Sequence, residues 1–76
     1  MLFNERDEIK DKLEAMASDY LRRIWNDEWC IDEIKADMQL TMTEKYIRLH
    51  NLRGMVRYYR RKYKKIMKIY NAVDKL

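Results

Sequence analysis

Residues 49–73 read LHNLRGMVRYYRRKYKKIMKIYNAV, and this stretch predicts the longest helix of the chain. Its apolar side chains recur at alternating steps of three and four residues, which keeps them on one side of an α-helix. We call this set the apolar stripe: Leu49, Leu52, Val56, Tyr59, Tyr63, Ile66, Tyr70 and Val73. The stripe has to pack against another apolar surface.

Composition predicts an all-α fold for a single domain, residues 1–76. There is no proline and only one glycine, and residues that favour helices are abundant. A chain of this length buries only about 60% of its unfolded surface, so its core is marginal and self-association would help it. We expect a small three-helix bundle with a long basic C-terminal helix.

Capping residues predict where the helices begin. Asn4 is a suitable N-cap for the first helix, which we expect to end around Trp25. Residues 26–28, Asn-Asp-Glu, are typical of a second start, so one break is predicted near 25–27 and another near 40–43. Thr41 and Glu44 have the capping-box spacing, which predicts a third helix from Met42 to about Asp74.

Gly54 leaves two alternatives open. A glycine inside a helix costs about 1 kcal/mol relative to alanine, so it could instead end a second helix of about residues 28–51, with a third beginning at Met55. The apolar stripe keeps its phase through Gly54, which favours the long helix. In another possibility, two long helices join near Thr41; such a pair would expose too much apolar surface alone and would have to form a four-helix dimer.

The charges are divided unevenly along the chain. Residues 1–40 carry eleven acidic and six basic side chains, a net charge of −5, whereas residues 41–76 carry two acidic and eleven basic ones, a net charge of +9. The two halves therefore attract each other, which helps to set the register of a helical bundle. The outermost cations of the long helix point away from any partner within the chain.

This basic surface is the strongest indication of function. Between Lys45 and Val73 there are ten basic residues and no acidic one. Cations interleaved with tyrosine are typical of surfaces that bind a phosphate backbone or stack on bases, although they also serve simply as a solvated face. The nucleic-acid-binding candidates, for DNA or RNA, are Arg53, Arg57, Tyr58, Arg60, Arg61, Lys64, Lys65 and Lys68.

A protein partner is the alternative. Trp25 and Trp29 lie four residues apart, and we expect them to fill the end of the core unless they form an exposed anchor for a larger protein. The chain would then be a compact adaptor or inhibitor. A stripe rich in tyrosine also suggests a surface only partly covered within the monomer, so homo-oligomer formation is expected. The further protein-interface candidates are Tyr63, Ile66 and Tyr70.

Catalysis, metal binding and cofactors are not indicated. Cys30 is the only cysteine and His50 the only histidine, which is too few for a zinc site, and no phosphate-binding loop or catalytic triad pattern is present. We expect a protein that is not an enzyme. The lone cysteine, the lack of a signal-peptide pattern and the lack of a long uncharged run predict a cytoplasmic protein without a transmembrane segment.

Overall fold

The computed structural model describes residues 5–76, which form two α-helices, α1 (Glu5–Ala36) and α2 (Met42–Asp74). The helices are antiparallel, since Lys10 near the start of α1 bonds to Asp74 at the end of α2. The hairpin measures 61 × 17 × 12 Å. Its smallest dimension is close to the diameter of one helix, about 10–12 Å, so the two helices lie side by side in a single layer. The all-α prediction is confirmed.

The predicted three-helix bundle is wrong, because α1 continues through the expected break at residues 25–27. No glycine or proline stands there to interrupt it, and Ile24, Ile31 and Ile34 keep helical spacing against α2. Asn26 and Asp27 begin no new helix, since the backbone amides of the residues that follow them already bond to the preceding turn of α1. The predicted N-cap Asn4 lies outside the described residues.

The predicted break near 40–43 is confirmed, and the chain turns at residues 37–41. The Asp37 carboxylate accepts a hydrogen bond from the Gln39 backbone N–H at 2.8 Å. The Thr41 hydroxyl then accepts one from the Glu44 backbone N–H at 3.1 Å and donates to the Glu44 carboxylate at 3.0 Å. This cap begins α2 at Met42, and the predicted bounds of the last helix are confirmed.

Gly54 lies in the middle of α2, so the alternative break there is wrong. Its φ is not positive, and a Cβ placed on it would meet no atom within 4 Å. The glycine therefore faces outward, as the phase of the apolar stripe requires.

The seam between the helices forms a thin core. In the described chain the buried apolar residues are Ala17, Ile24, Val56 and Ile66. The rest of the apolar stripe is half-buried. The architecture is therefore the pair of long helices that the sequence left as a further possibility. Much apolar surface remains exposed, including Met42 and Tyr46 near the turn.

Candidate nucleic-acid interface

One side of the seam carries a basic face. Arg60 marks the position of this face, because its guanidinium donates a hydrogen bond to the Glu28 carboxylate across the seam. Arg53, Arg57 and Lys64 lie three to seven residues from Arg60, the spacing that places side chains on the same flank of a helix. Arg61 lines a shallow groove with Arg57 and Lys64, and Lys68 follows Lys64 by one turn. The basic face is defined as Arg53, Arg57, Arg60, Arg61, Lys64 and Lys68.

The acidic helix neutralises little of this face. Within residues 5–76, Arg60 is the only member of the basic face that forms an ion pair. The other ion pair between the helices joins Lys10 of α1 to Asp74 of α2, the reverse of the expected acid-to-base direction. Pairing of an acid of α1 with a base of α2 is therefore confined, in the described residues, to Glu28 and Arg60. Most of the positive charge of α2 stays exposed to solvent.

Contacts at the open end of the hairpin, where α1 begins and α2 ends, set the register of the two helices. A hydrogen bond from Lys10 lowers the pKa of Asp74 and raises the pKa of Lys10. One turn away, the Tyr70 hydroxyl donates to the Glu14 carboxylate at 2.7 Å, and this bond raises the pKa of the phenol. These contacts align the two helices without involving the basic face.

Toward the turn, the basic face opens into a groove of about 650 Å³, which we call the turn-side groove. Leu49, Val56 and Ile31 contribute its apolar lining. Its aromatic and charged lining consists of Glu28, Tyr46, His50, Arg53, Arg57 and Arg60. The rings of Tyr46 and His50 stack, with centroids 6.2 Å apart and planes inclined by 17°.

Sequence reasoning did not select Tyr46 and His50 as binding residues. They stand four residues apart, and Arg53 follows His50 by three, so helical spacing alone places all three side chains along one flank. Helical spacing therefore gives their shared flank. It does not give the groove, because residues of α1 complete its lining and periodicity within α2 cannot supply them.

The predicted nucleic-acid residue Tyr58 lies elsewhere. Its ring packs edge-on against Tyr59 at 5.6 Å, and the Lys62 ammonium lies 5.4 Å from its centroid. Tyr58 lines a separate shallow groove with Lys65 and Arg61. The structure thus divides the predicted set: most of it lies on the basic face, whereas Tyr58 and Lys65 lie beside Lys62 on the flank of α2 next to Tyr59.

The predicted protein-interface residues also separate. Trp25 and Trp29 are 64% and 62% exposed, so the expectation that they fill the end of the core is wrong. Ile66 is buried in the seam, and Tyr63 and Tyr70 are half-buried there. Of the five predicted residues, the two tryptophans are the ones that present most of their surface to solvent.

The other side of the seam carries an apolar face. It is marked by Tyr20 and Tyr59, whose ring centroids are 6.0 Å apart, and by the Arg23 guanidinium, 5.6 Å from the Tyr59 ring. Four residues before each tyrosine stands an exposed methionine, Met16 on α1 and Met55 on α2. Ile9 and Ile69 extend this surface toward the open end by helical spacing. The apolar face is defined as Ile9, Met16, Tyr20, Met55, Tyr59 and Ile69.

Residues 5–76 contain no group of three or more His, Cys, Asp or Glu side chains placed to hold a metal ion. Cys30 is half-buried on α1, whereas the His50 ring lies against Tyr46. Neither described helix is apolar enough along its length to cross a membrane.

Comparisons with protein-family models, with curated proteins and with solved structures find no match to this chain. The features of the chain that bear on function are the two faces of the hairpin and the chemistry that each can recognise.

Proposed function

We propose that this protein is a small, non-enzymatic, regulatory nucleic-acid-binding protein that contacts phosphates through the basic face of α2. The observation that carries the proposal is the unpaired state of that face. Arg53, Arg57 and Lys64 form no ion pair within residues 5–76, although α1 offers many carboxylates. A cationic row that its own acidic partner helix leaves unneutralised is suited to an external polyanion.

The dimensions of the row suit a phosphate backbone. From Arg53 to Lys68 it extends about 22 Å, at about 1.5 Å of rise per residue. A straight row of that length can lie along only part of a turn of one duplex strand, so we expect it to neutralise about three to five phosphates. The row lies on one continuous helix, which fixes the order and backbone spacing of its cations.

Salt dependence tests the proposal directly. Binding that releases counterions gives a log–log slope of about −0.9 per phosphate neutralised, so the row should give roughly −3 to −5. The double substitution Arg61→Gln and Lys64→Gln should flatten the slope by about two units, because both side chains are exposed and Gln is a good helix former.

The matched control removes two charges from exposed positions of α1, Lys12→Gln and Arg22→Gln. It changes the net charge equally and should leave the slope nearly unchanged. Affinity weaker than about 100 μM at physiological salt for DNA and RNA, both single-stranded and duplex, contradicts the proposal, since that is the weak end of non-specific binding.

The proposal also includes a homodimer, in which a second copy of the chain covers the apolar face. One layer of two helices leaves Met16, Met55 and Ile69 about half exposed. Packing two hairpins through their apolar faces produces a four-helix bundle, in which those side chains gain a second apolar layer. The basic faces then point outward on opposite sides, so dimerisation and phosphate binding do not compete.

Binding of a larger protein is the second candidate function, and the exposure of Trp25 and Trp29 favours it. Tryptophan is enriched among the residues that dominate interface energies. Purification from cells with and without nuclease separates the two candidates. Nucleic acid that disappears after nuclease supports phosphate binding. A stoichiometric protein that survives nuclease and is lost in a Trp25→Ala, Trp29→Ala variant supports the adaptor or inhibitor alternative.

A further inference from the structure

The turn-side groove combines two features that a phosphate-binding surface alone does not need. Its apolar lining, Leu49, Val56 and Ile31, offers no partner to a phosphate. Tyr46, 71% exposed, is stacked on His50 and presents a ring to solvent beside that lining. A ligand that uses both features has a flat, apolar face.

The arginines that line the turn-side groove also favour a ligand that carries negative charge. Arg53 and Arg57 line it and form no ion pair in the described chain, whereas Arg60 is held by Glu28. A ligand that lays a flat ring against Tyr46 therefore meets two unneutralised guanidinium groups within the same groove. A flat ring carrying anionic groups on both sides is the chemistry of a nucleotide within a strand.

We propose that the turn-side groove holds an unpaired nucleobase on Tyr46 while Arg53 and Arg57 contact the flanking phosphates, so that the protein prefers single-stranded nucleic acid to duplex. This inference rests on the proposed phosphate binding and specifies its ligand. Bases inside a duplex are stacked on one another and present only their edges, so they cannot lie flat on Tyr46. An unpaired base can, and stacking of this kind tolerates any sequence.

The test compares a thymidine homopolymer with a duplex of the same length, both titrated against the full chain at fixed salt. Tyr46→Ala should weaken single-strand binding roughly 5- to 150-fold, the range expected from losing one base–aromatic stack. Its effect on duplex affinity should be smaller than twofold. Tyr46→Phe keeps the ring and should retain most of the single-strand affinity.

Ile47→Ala is the matched control, because Ile47 is also an exposed large side chain of α2 and neighbours Tyr46 but does not line the turn-side groove. It should leave the preference for single strands in place. Circular dichroism of each variant checks that the helices are intact, which the exposure of both side chains favours.

The outcomes separate this inference from the proposed function. Equal affinity for single strand and duplex, or equal losses in Tyr46→Ala and Ile47→Ala, overturns base binding in the groove but leaves phosphate binding standing. If neither probe binds to the wild-type chain, both proposals fail together.

Discussion

The basic face and the apolar face lie on opposite sides of one seam, and α2 contributes to both. On the basic face, Arg53, Arg57 and Lys64 form no ion pair within residues 5–76. On the apolar face, Met55 and Ile69 are uncovered, and the cation at helical spacing between them, Lys62, lies over the Tyr58 ring. The hairpin is therefore two-sided: one face is suited to a polyanion, and the other to an apolar layer that a single hairpin does not supply.

The largest effect is expected where the two faces meet. Ile66 is buried in the seam, so Ile66→Ala should reduce the free energy of unfolding by roughly 2–5 kcal/mol, through lost apolar burial and a residual cavity. Denaturant unfolding followed by circular dichroism measures this loss. Ile47→Ala is the control, because Ile47 is 54% exposed and belongs neither to the seam nor to the apolar face, so its truncation should cost much less. Equal losses would show that the seam is packed no better than the outer surface of α2.

The next effect concerns the apolar face. If a second copy covers it, Met16→Glu places a charge inside the dimer interface and should shift the molar mass in sedimentation equilibrium from dimer to monomer. The melting temperature of the wild type should also rise with protein concentration, whereas that of the variant should not. Met42→Glu, at a position 82% exposed beside the turn, should leave the dimer intact. A wild-type mass that stays monomeric at every concentration rejects the dimer.

A smaller gain is expected at Gly54, which lies between arginines of the basic face. Gly54→Ala should stabilise α2 by up to about 1 kcal/mol, because the added methyl group meets no atom and the backbone is already helical. The salt dependence of nucleic-acid binding should stay unchanged. A lower melting temperature in the variant would mean that the chain bends at this glycine in solution.

The smallest effect concerns the hydrogen bond between Tyr70 and Glu14 at the open end. This bond raises the pKa of the phenol, so its contribution to stability is complete below the ordinary value of 10.0 and is lost as pH rises through the raised pKa. Tyr70→Phe keeps the ring in the seam and removes the hydroxyl. Wild type should be slightly more stable than the variant at neutral pH, and unfolding titrations should show the difference vanish at high pH. A difference independent of pH would assign the effect to packing.

Local signals in the sequence were sufficient to predict α2. Its apolar stripe, the spacing from Thr41 to Glu44 and its predicted end at Asp74 each depend on residues within a few turns of one another, and all three match the structure. The cationic character of the candidate site was also readable from composition. The grouping of Tyr46 and His50 with Arg53 in one groove was not, because α1 completes that groove.

The sequence by itself determined the helical class, the turn near residue 41 and the charge of α2, because helix periodicity, capping and charge are properties of neighbouring residues. Only the tertiary structure decided that α1 passes unbroken through Asn26 and Asp27. The physical reason is length: α2 has 33 residues, and a continuous α1 of 32 residues covers its stripe from end to end. A break at residue 26 would have left part of that stripe uncovered. The same continuity leaves Trp25 and Trp29 on the outer surface, where no local pattern had placed them.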